Sequence, residues 1–132
     1  MTILVTGGAG FIGGNFVLDW CSQMDELVVN LDKLTYAGNV QTLADCMDSE
    51  RHEFVRGDIG DRDLITSLLL QYKPRAVINF AAESHVDRSI HGPGDFIETN
   101  IVGTYNLLEA VREYWTELAD LERANFRFLH VS

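Results

Sequence analysis

The chain opens with a short apolar run that leads directly into a glycine-rich turn. Ile3-Leu4-Val5 favours a β-strand, and apolar residues recur at helical spacing between residues 11 and 20. Between the two, the glycines fit two overlapping patterns, Gly8-x-Gly10-x-x-Gly13 and Gly7-x-x-Gly10-x-x-Gly13. Such a pattern alone is weak, but between a strand and a helix it predicts a turn that approaches the pyrophosphate of a dinucleotide.

This turn can attract a negatively charged ligand without a lysine. The first glycine permits the tight turn, the middle one lets the backbone approach a phosphate, and Gly13 lets the helix press against the sheet. The free N–H groups at the helix start, together with the positive end of the helix dipole, supply the attraction.

Apolar runs and helical patterns alternate along the rest of the chain. We predict strands at residues 3–5, 27–31, 54–55, 76–80 and 126–131, and helices at 11–20, 42–47, 64–72 and from about residue 95. Asp61 is the expected N-cap of the third helix, and Pro74 ends it. Continuous apolar strands separated by helices indicate a doubly wound α/β fold, a five-stranded parallel sheet of the Rossmann type.

Charge and composition narrow the class of protein. A length of 132 residues suits one domain, residues 1–132. The formal charge of −10 disfavours nucleic acid and anionic membranes as partners. No apolar run approaches the roughly 20 residues of a transmembrane helix, the first residues do not resemble a secretory signal, and Cys21 and Cys46 suit a reducing compartment. We therefore expect a cytoplasmic protein without nucleic-acid or membrane partners.

Two acids follow predicted strands. Asp32 lies about 20 residues after Gly13, where a carboxylate accepts hydrogen bonds from the adenosine ribose and repels a 2′-phosphate, which favours NAD over NADP. The neighbouring Lys33 works against this preference, because its positive charge would attract a 2′-phosphate. Asp58 is predicted to accept a hydrogen bond from the adenine amino group, with Ile59 packing on the ring; a plain turn aspartate is the alternative.

The long helix carries two apolar faces, although a helix on a sheet needs only one. The first apolar stripe consists of Ile97, Ile101, Leu108, Val111, Trp115 and Leu118. The second consists of Phe96, Leu107, Ala110 and Tyr114. Either the helix lies deep between the sheet and the rest of the chain, or it forms a subunit interface. We predict a homodimer through the helix around Asp95–Leu118.

A charged cluster follows the fourth predicted strand. His85 and His91 with an aspartate could ligate a metal, but their spacing matches no closed metal motif, and we predict no metal site. For Glu83, Asp87 and Arg88 the favoured interpretation is a salt-bridged loop at the mouth of the site.

Several segments carry a family resemblance. The turn at residues 6–13 is similar to that of the extended short-chain dehydrogenase/reductases. Residues 32–39, 81–90 and 98–104 resemble one branch of that family, the dTDP-glucose 4,6-dehydratases. The likeness extends from residue 1 to residue 132, and the first two of these segments are far more specific than the glycine turn.

The resemblance implies NAD as cofactor and a set of contacts. Beside the glycines, the pyrophosphate would be contacted through the backbone of Phe11 and Ile12. The adenosine would be surrounded by Asp32, Lys33, Leu34, Thr35, Asp58 and Ile59. The nicotinamide side would be lined by Phe80, Ala81, Ala82, Ser84 and Thr99, and Ser84 would also touch the sugar of the substrate.

The catalytic groups of that family are not found in the chain. Members use a tyrosine and a lysine four residues apart, and none of the tyrosines here has such a lysine: Tyr36, Tyr72, Tyr105 and Tyr114. The family also places a Thr-Asp-Glu run after the fifth strand, where this chain reaches Ser132. We therefore expect no catalytic residue within the chain, and a further part of the sheet and a substrate domain outside it.

The resemblance also implies a reaction for the intact enzyme. Its substrate would be the nucleotide sugar dTDP-glucose, which loses hydride from C4 to NAD, loses water across C5–C6 and regains hydride at C6. The 132 residues alone would give weak or no turnover. Two alternatives stay open: a non-catalytic NAD-binding module, and another nucleotide-sugar epimerase or dehydratase.

Overall fold

Five strands of the described chain form one parallel sheet. The computed structural model describes residues 1–8, 11–33, 50–80 and 98–131. The strands are β1 (Thr2–Thr6), β2 (Leu27–Asp32), β3 (His52–Arg56), β4 (Ala76–Asn79) and β5 (Arg127–His130). Their order is β3-β2-β1-β4-β5, with every neighbouring pair parallel. This is the order of a doubly wound sheet, so the predicted fold class is confirmed.

Helices cover both faces of the sheet. They are α1 (Phe11–Gln23), α2 (Arg62–Tyr72), α3 (Thr104–Thr116) and α4 (Asp120–Asn125), and a π-helical segment, Glu98–Gly103, leads directly into α3. The helix expected at residues 42–47 lies outside the described residues. No described helix has the length and apolar content needed to cross a membrane.

The predicted ends of α2 are confirmed. The Asp61 carboxylate accepts a hydrogen bond from the backbone N–H of Leu64 at 3.1 Å, which satisfies one free donor of the first turn. At the other end Lys73 adopts a left-handed conformation with φ of 48°, and its N–H donates to the carbonyl of Leu69. Pro74 follows and cannot continue the helix.

The core has two layers because successive side chains of a strand point to opposite faces. On the α1 face, the buried residues are Ile3, Val5, Val17, Cys21, Val28, Ala76 and Ile78. On the face covered by α2 and α3, they include Leu4, Val29, Leu31, Ile65, Leu69, Val77, Leu107 and Val111. The strands at the centre of the sheet are therefore apolar on both sides, as a parallel sheet requires.

The single long helix expected from residue 95 is wrong in detail. The described part is divided into the π-helical segment, α3 and the short α4, which the apolar pattern did not predict. The first predicted stripe does not form one face: Val111 is buried, whereas Ile101, Leu108 and Trp115 are exposed. Successive residues of α3 are about 100° apart, so Val111 lies close to the buried side with Leu107 and Ala110, whereas Leu108 and Trp115 lie at its edge.

Candidate active site

The candidate site lies where the carboxyl ends of β1 and β2 meet. Because β1 pairs with β2 on one side and with β4 on the other, the strand order reverses beside β1. Doubly wound sheets bind ligands in the crevice at this reversal. The carboxyl end of β4 lies beside the same reversal.

The glycine turn after β1 is tight and closely packed. Gly7 has a φ of 79°, in the left-handed region that favours glycine, and its N–H donates to the carbonyl of Leu31 at 2.9 Å. A Cβ at Gly13 would lie 2.3 Å from the Gly7 carbonyl oxygen, so only glycine lets α1 approach the turn this closely. Gly10 lies outside the described residues.

Helix α1 begins next to the glycine turn. Phe11 begins the helix, and the side chain of Ile12 is 64% exposed beside the turn. The first turn of α1 contains no acidic residue that would compete for its N–H groups. The arrangement presents backbone donors and the positive end of the helix dipole to an anion.

Sequence reasoning missed a buried asparagine that supports this turn. The Asn30 side chain, fully buried in β2, accepts a hydrogen bond from the Gly8 N–H through Oδ1 at 3.1 Å. A Cβ at Gly8 would lie 2.2 Å from that same Oδ1, so the asparagine also explains why residue 8 is glycine. One polar residue within an otherwise apolar strand was the available signal.

A second network of hydrogen-bonded polar side chains crosses the sheet on the other side of β1. The Thr6 hydroxyl donates to Asn79 Oδ1 at 2.6 Å, and Asn79 Nδ2 lies 3.0 Å from His130 Nδ1. Thr6 and Asn79 are fully buried, so their hydrogen bonds stabilise polar groups that would otherwise be costly in the core. This network of side chains joins the carboxyl ends of β1, β4 and β5.

The predicted adenosine residues come together at the end of β2. Asp32 ends the strand and is 8% exposed, and its backbone carbonyl accepts a hydrogen bond from Gly57 at 3.0 Å. Lys33 Nζ lies 3.2 Å from Asp58 Oδ2, and Asp58 Oδ1 accepts from the Gly60 N–H at 2.8 Å. The charge of Lys33 is therefore offset by Asp58, which makes the lysine a poorer partner for a 2′-phosphate.

Ile59 is placed in the core. Its side chain is 4% exposed and packs with Ile65 and Leu107, so little of it is accessible to an adenine ring.

The described residues on the expected nicotinamide side are Phe80 and Thr99. Phe80 follows β4, its N–H donates to the Thr6 carbonyl at 2.6 Å, and its ring centroid lies 5.5 Å from that of Phe16. Thr99 belongs to the π-helical segment. Leu34, Thr35, Ala81, Ala82 and Ser84 lie outside the described residues, as does the cluster from Glu83 to His91.

Tyr114 is not placed as a proton acceptor. The Tyr114 hydroxyl donates to the Pro74 carbonyl at 2.8 Å, and burial raises the pKa of Tyr114, the opposite of what a tyrosine base needs. Tyr36 is not among the described residues. Within the described ranges, no group of three His, Cys, Asp or Glu side chains is arranged to hold a metal ion.

A separate cleft of about 710 Å³ lies at the opposite, amino-terminal end of the sheet. Its lining includes Met24, Lys73, Tyr114, Leu118 and Phe126. None of the predicted cofactor residues that the structure describes lines this cleft, so the described lining is separate from the candidate site.

The chain is similar to known proteins over its whole described length. The family model described as GDP-mannose 4,6 dehydratase matches residues 4–132. A dTDP-glucose 4,6-dehydratase of Xanthomonas campestris pv. campestris is 66% identical over 131 residues, which cover 99% of this chain and 37% of that protein. The chain thus spans somewhat over a third of the length of the curated relatives it matches.

Two solved structures place the fold among related enzymes. DesIV, a dTDP-glucose 4,6-dehydratase from Streptomyces venezuelae with NAD and TYD bound, matches with a TM-score of 0.81 and 45% identity, covering 86% of this chain and 36% of that one. A UDP-glucose 4-epimerase from Thermotoga maritima with UDP-glucose matches with a TM-score of 0.76 and 32% identity, covering 86% and 35%. The chain belongs to the GDP-mannose 4,6 dehydratase family and is similar throughout to dTDP-glucose 4,6-dehydratases.

Proposed function

We propose that this chain provides the NAD-binding site of a dTDP-glucose 4,6-dehydratase. The observation that carries the proposal is the position of Asp32, a largely buried carboxylate at the end of β2, beside a glycine turn packed too tightly for any other residue at position 13. A carboxylate here is suited to the two ribose hydroxyls of NAD and opposes a 2′-phosphate.

The pyrophosphate would be held by backbone alone. The proposed contacts are the turn glycines Gly7, Gly10 and Gly13 with the N–H groups of Phe11 and Ile12. No lysine is needed, because a helix start binds an anion through its free donors. A protein with a formal charge of −10 can therefore bind a negatively charged cofactor.

The two ends of the cofactor would lie on either side of this turn. On the β2–β3 side, the proposed adenosine contacts are Asp32, Lys33, Leu34, Thr35, Asp58 and Ile59, with Ile59 restricted to its backbone by burial. On the β4 side, the proposed nicotinamide contacts are Phe80, Ala81, Ala82, Ser84 and Thr99, and Ser84 also faces the sugar. The likeness to a relative with NAD and TYD bound supports this arrangement.

Bound NAD would accept hydride from C4 of the hexose and return it to C6 after water is lost across C5–C6. The chain's own residues bind and orient the cofactor at the end of β1. We propose no proton-transfer residue within the chain. We therefore expect weak or no turnover from the 132 residues alone. A longer protein carrying this sequence should form a 4-keto-6-deoxy sugar, and a 4-epimer as its product would contradict the dehydratase assignment.

Calorimetric titration of the chain with NAD and with NADP tests the cofactor site. We expect NAD to bind more tightly, and Asp32→Ala to weaken NAD binding by about 10- to 100-fold, the loss of one or two charge-assisted hydrogen bonds. Asp120→Ala removes a carboxylate from the exposed surface of α4 and is the matched control. Equal affinity of the wild type for both cofactors, or unchanged binding by Asp32→Ala, would refute the proposal.

We also propose that the protein forms a homodimer through α3. Tyr105, Leu108 and Trp115 are exposed along one side of the helix, and Ile101 continues this apolar face in the π-helical segment. The opposite side, with Leu107, packs into the core, so the exposed side is available to a second subunit.

Sedimentation of the intact protein at micromolar concentration tests the dimer. Leu108→Glu should shift the protein to a monomer, because a charge in an apolar interface is costly. Leu121→Glu places the same charge at an exposed position of α4 and should leave the dimer intact. A monomeric wild type would contradict this part of the proposal.

A further inference from the structure

The buried amide of Asn30 has only one orientation that suits the glycine turn. The Gly8 N–H is a donor, so the atom of Asn30 that faces it at 3.1 Å must be the carbonyl oxygen Oδ1. The amide nitrogen Nδ2 then points the other way, towards β3. Its neighbour there is His52, whose Nε2 lies 3.4 Å away.

This geometry fixes the protonation state of His52. Because Nδ2 can only donate, His52 Nε2 must accept, and the imidazole must be neutral with its proton on Nδ1. His52 is 5% exposed, and burial lowers the pKa of His52 from its ordinary value. Within the described residues, His52 Nδ1 has no hydrogen-bond partner that would favour the cation.

A proton on Nε2 would place two donors against each other. The conflict is relieved if the Asn30 amide turns over, which would present Nδ2 to the Gly8 N–H and break that hydrogen bond, or if the ring moves away. A charged His52 and an intact bond from Gly8 to Asn30 are therefore in competition.

Among the described residues, few charged groups near His52 alter this competition. Of these, Glu53, the next residue of β3, acts on His52 and favours the cation. Arg51 is directed elsewhere, with Nη2 3.0 Å from Asp25 Oδ1. On α1, the Cys21 thiol faces the Arg51 carbonyl at 3.8 Å.

We propose that Asn30 is the positioning residue of the glycine turn, and that it holds the turn only while His52 is neutral. This rests on the proposed function, since the turn matters to NAD only if it binds the pyrophosphate. NAD affinity should then fall in acid through a residue that does not touch the cofactor.

The coupling can be measured without the cofactor. In an NMR titration of the chain from pH 8 to pH 5, the Gly8 amide signal should shift with the same midpoint as the His52 ring. In His52→Gln, which offers an acceptor oxygen that does not titrate, that shift should disappear. Glu53→Gln should move the midpoint to lower pH, because it removes the charge that favours the cation. A Gly8 signal that titrates identically in His52→Gln would overturn the proposal.

NAD titrations connect the coupling to binding. Asn30→Ala should bind NAD about tenfold more weakly than the wild type at pH 8, because the Gly8 N–H loses its acceptor. Val29→Ala, a cavity in the same strand on the other face of the sheet, is the control for general loosening. Equal binding by the Asn30→Ala and Val29→Ala variants would refute the positioning role.

A conservative variant keeps the test decisive if Asn30→Ala does not fold. Asn30→Asp retains an acceptor for Gly8 and can also accept from a protonated His52, so its Gly8 signal should no longer shift in acid. A Gly8 shift as large as that of the wild type would overturn the proposal. A wild type that does not bind NAD would refute the proposed function, whereas the NMR result would still decide the coupling.

Discussion

The two ends of the parallel sheet differ in whether their polar and charged groups face a ligand or pair with one another. At the carboxyl end, Gly7 and Gly13 bring backbone donors close together and Asp32 presents a carboxylate beside them. At the amino end, charges are neutralised within the chain: Arg75 donates two hydrogen bonds to Glu26, from Nε at 2.5 Å and Nη2 at 2.6 Å. Substitutions at the first end should therefore change ligand affinity, and substitutions at the second should change stability alone.

The largest effect is expected from Gly13→Ala. The new Cβ would meet the Gly7 backbone at 2.3 Å, which cannot move without changing the turn. NAD affinity measured by calorimetry should fall by at least about 100-fold, consistent with overpacking costs of about 1–3 kcal/mol and the loss of the anion site. Gly60→Ala is the control at the same end of the sheet, because its Cβ would make only an ordinary contact with Asp58 at 3.4 Å.

At the other end, Glu26→Gln should lower stability without changing NAD affinity. Chemical denaturation should show a loss of about 1–3 kcal/mol, the range for hydrogen bonds to charged groups. Glu113→Gln breaks a more exposed ion pair with Arg62 and should cost less, about 0–1 kcal/mol.

The ion pair also predicts a pH dependence. The hydrogen bonds from Arg75 lower the pKa of Glu26, so its contribution is complete above the unfolded value of about 4.3 and is lost as the pH falls through the folded value. An acid-stability profile in Glu26→Gln identical to that of the wild type would contradict this assignment.

His52 should add a separate acid dependence at higher pH. Burial lowers the pKa of His52, so its stabilising contribution is present above the unfolded value of about 6.5 and is lost as the pH falls below it. The free energy of unfolding of the wild type should fall by up to about 1.4 kcal/mol per pH unit in this range from this residue. His52→Gln should flatten that part of the curve; an unchanged slope would show that His52 is not responsible.

The smallest effect is expected from Lys33→Met. Both partners of the ion pair with Asp58 are substantially exposed, and such pairs contribute about 0.2–1 kcal/mol. NAD affinity should therefore change by no more than about fivefold, and NADP should not bind more tightly. A large loss of NADP affinity would show that the balance of charge between Lys33 and Asp58, and not Asp32 alone, decides between the cofactors.

The features that sequence reasoning predicted are local ones. The strand before Gly7, the helix after it and the N-cap at Asp61 each depend on residues within a few positions of one another, and all are found. The fold class followed from the alternation of strands and helices, which leaves few topologies for a parallel sheet. The bounds of β5 were predicted about one residue too long at each end.

The features that were missed depend on contacts across the sheet. Asn30 supports Gly8 from the neighbouring strand, and Asn79 joins Thr6 to His130 across two strand boundaries. Neither pairing is visible before the strand order and register are known. The sequence also did not show how the first apolar stripe divides between a buried Val111 and an exposed Leu108 and Trp115, because that depends on what packs against α3.

Amide chemical-shift mapping with NAD tests the contrast between the two ends most directly. We predict that NAD perturbs the amides of Gly7, Gly8, Ile12 and Asp32 at the carboxyl end and leaves those of Met24, Arg75 and Leu118 at the amino end unchanged. Perturbations confined to the amino-terminal cleft, or no perturbation at saturating NAD, would contradict the claim that the glycine turn and Asp32 form the cofactor site.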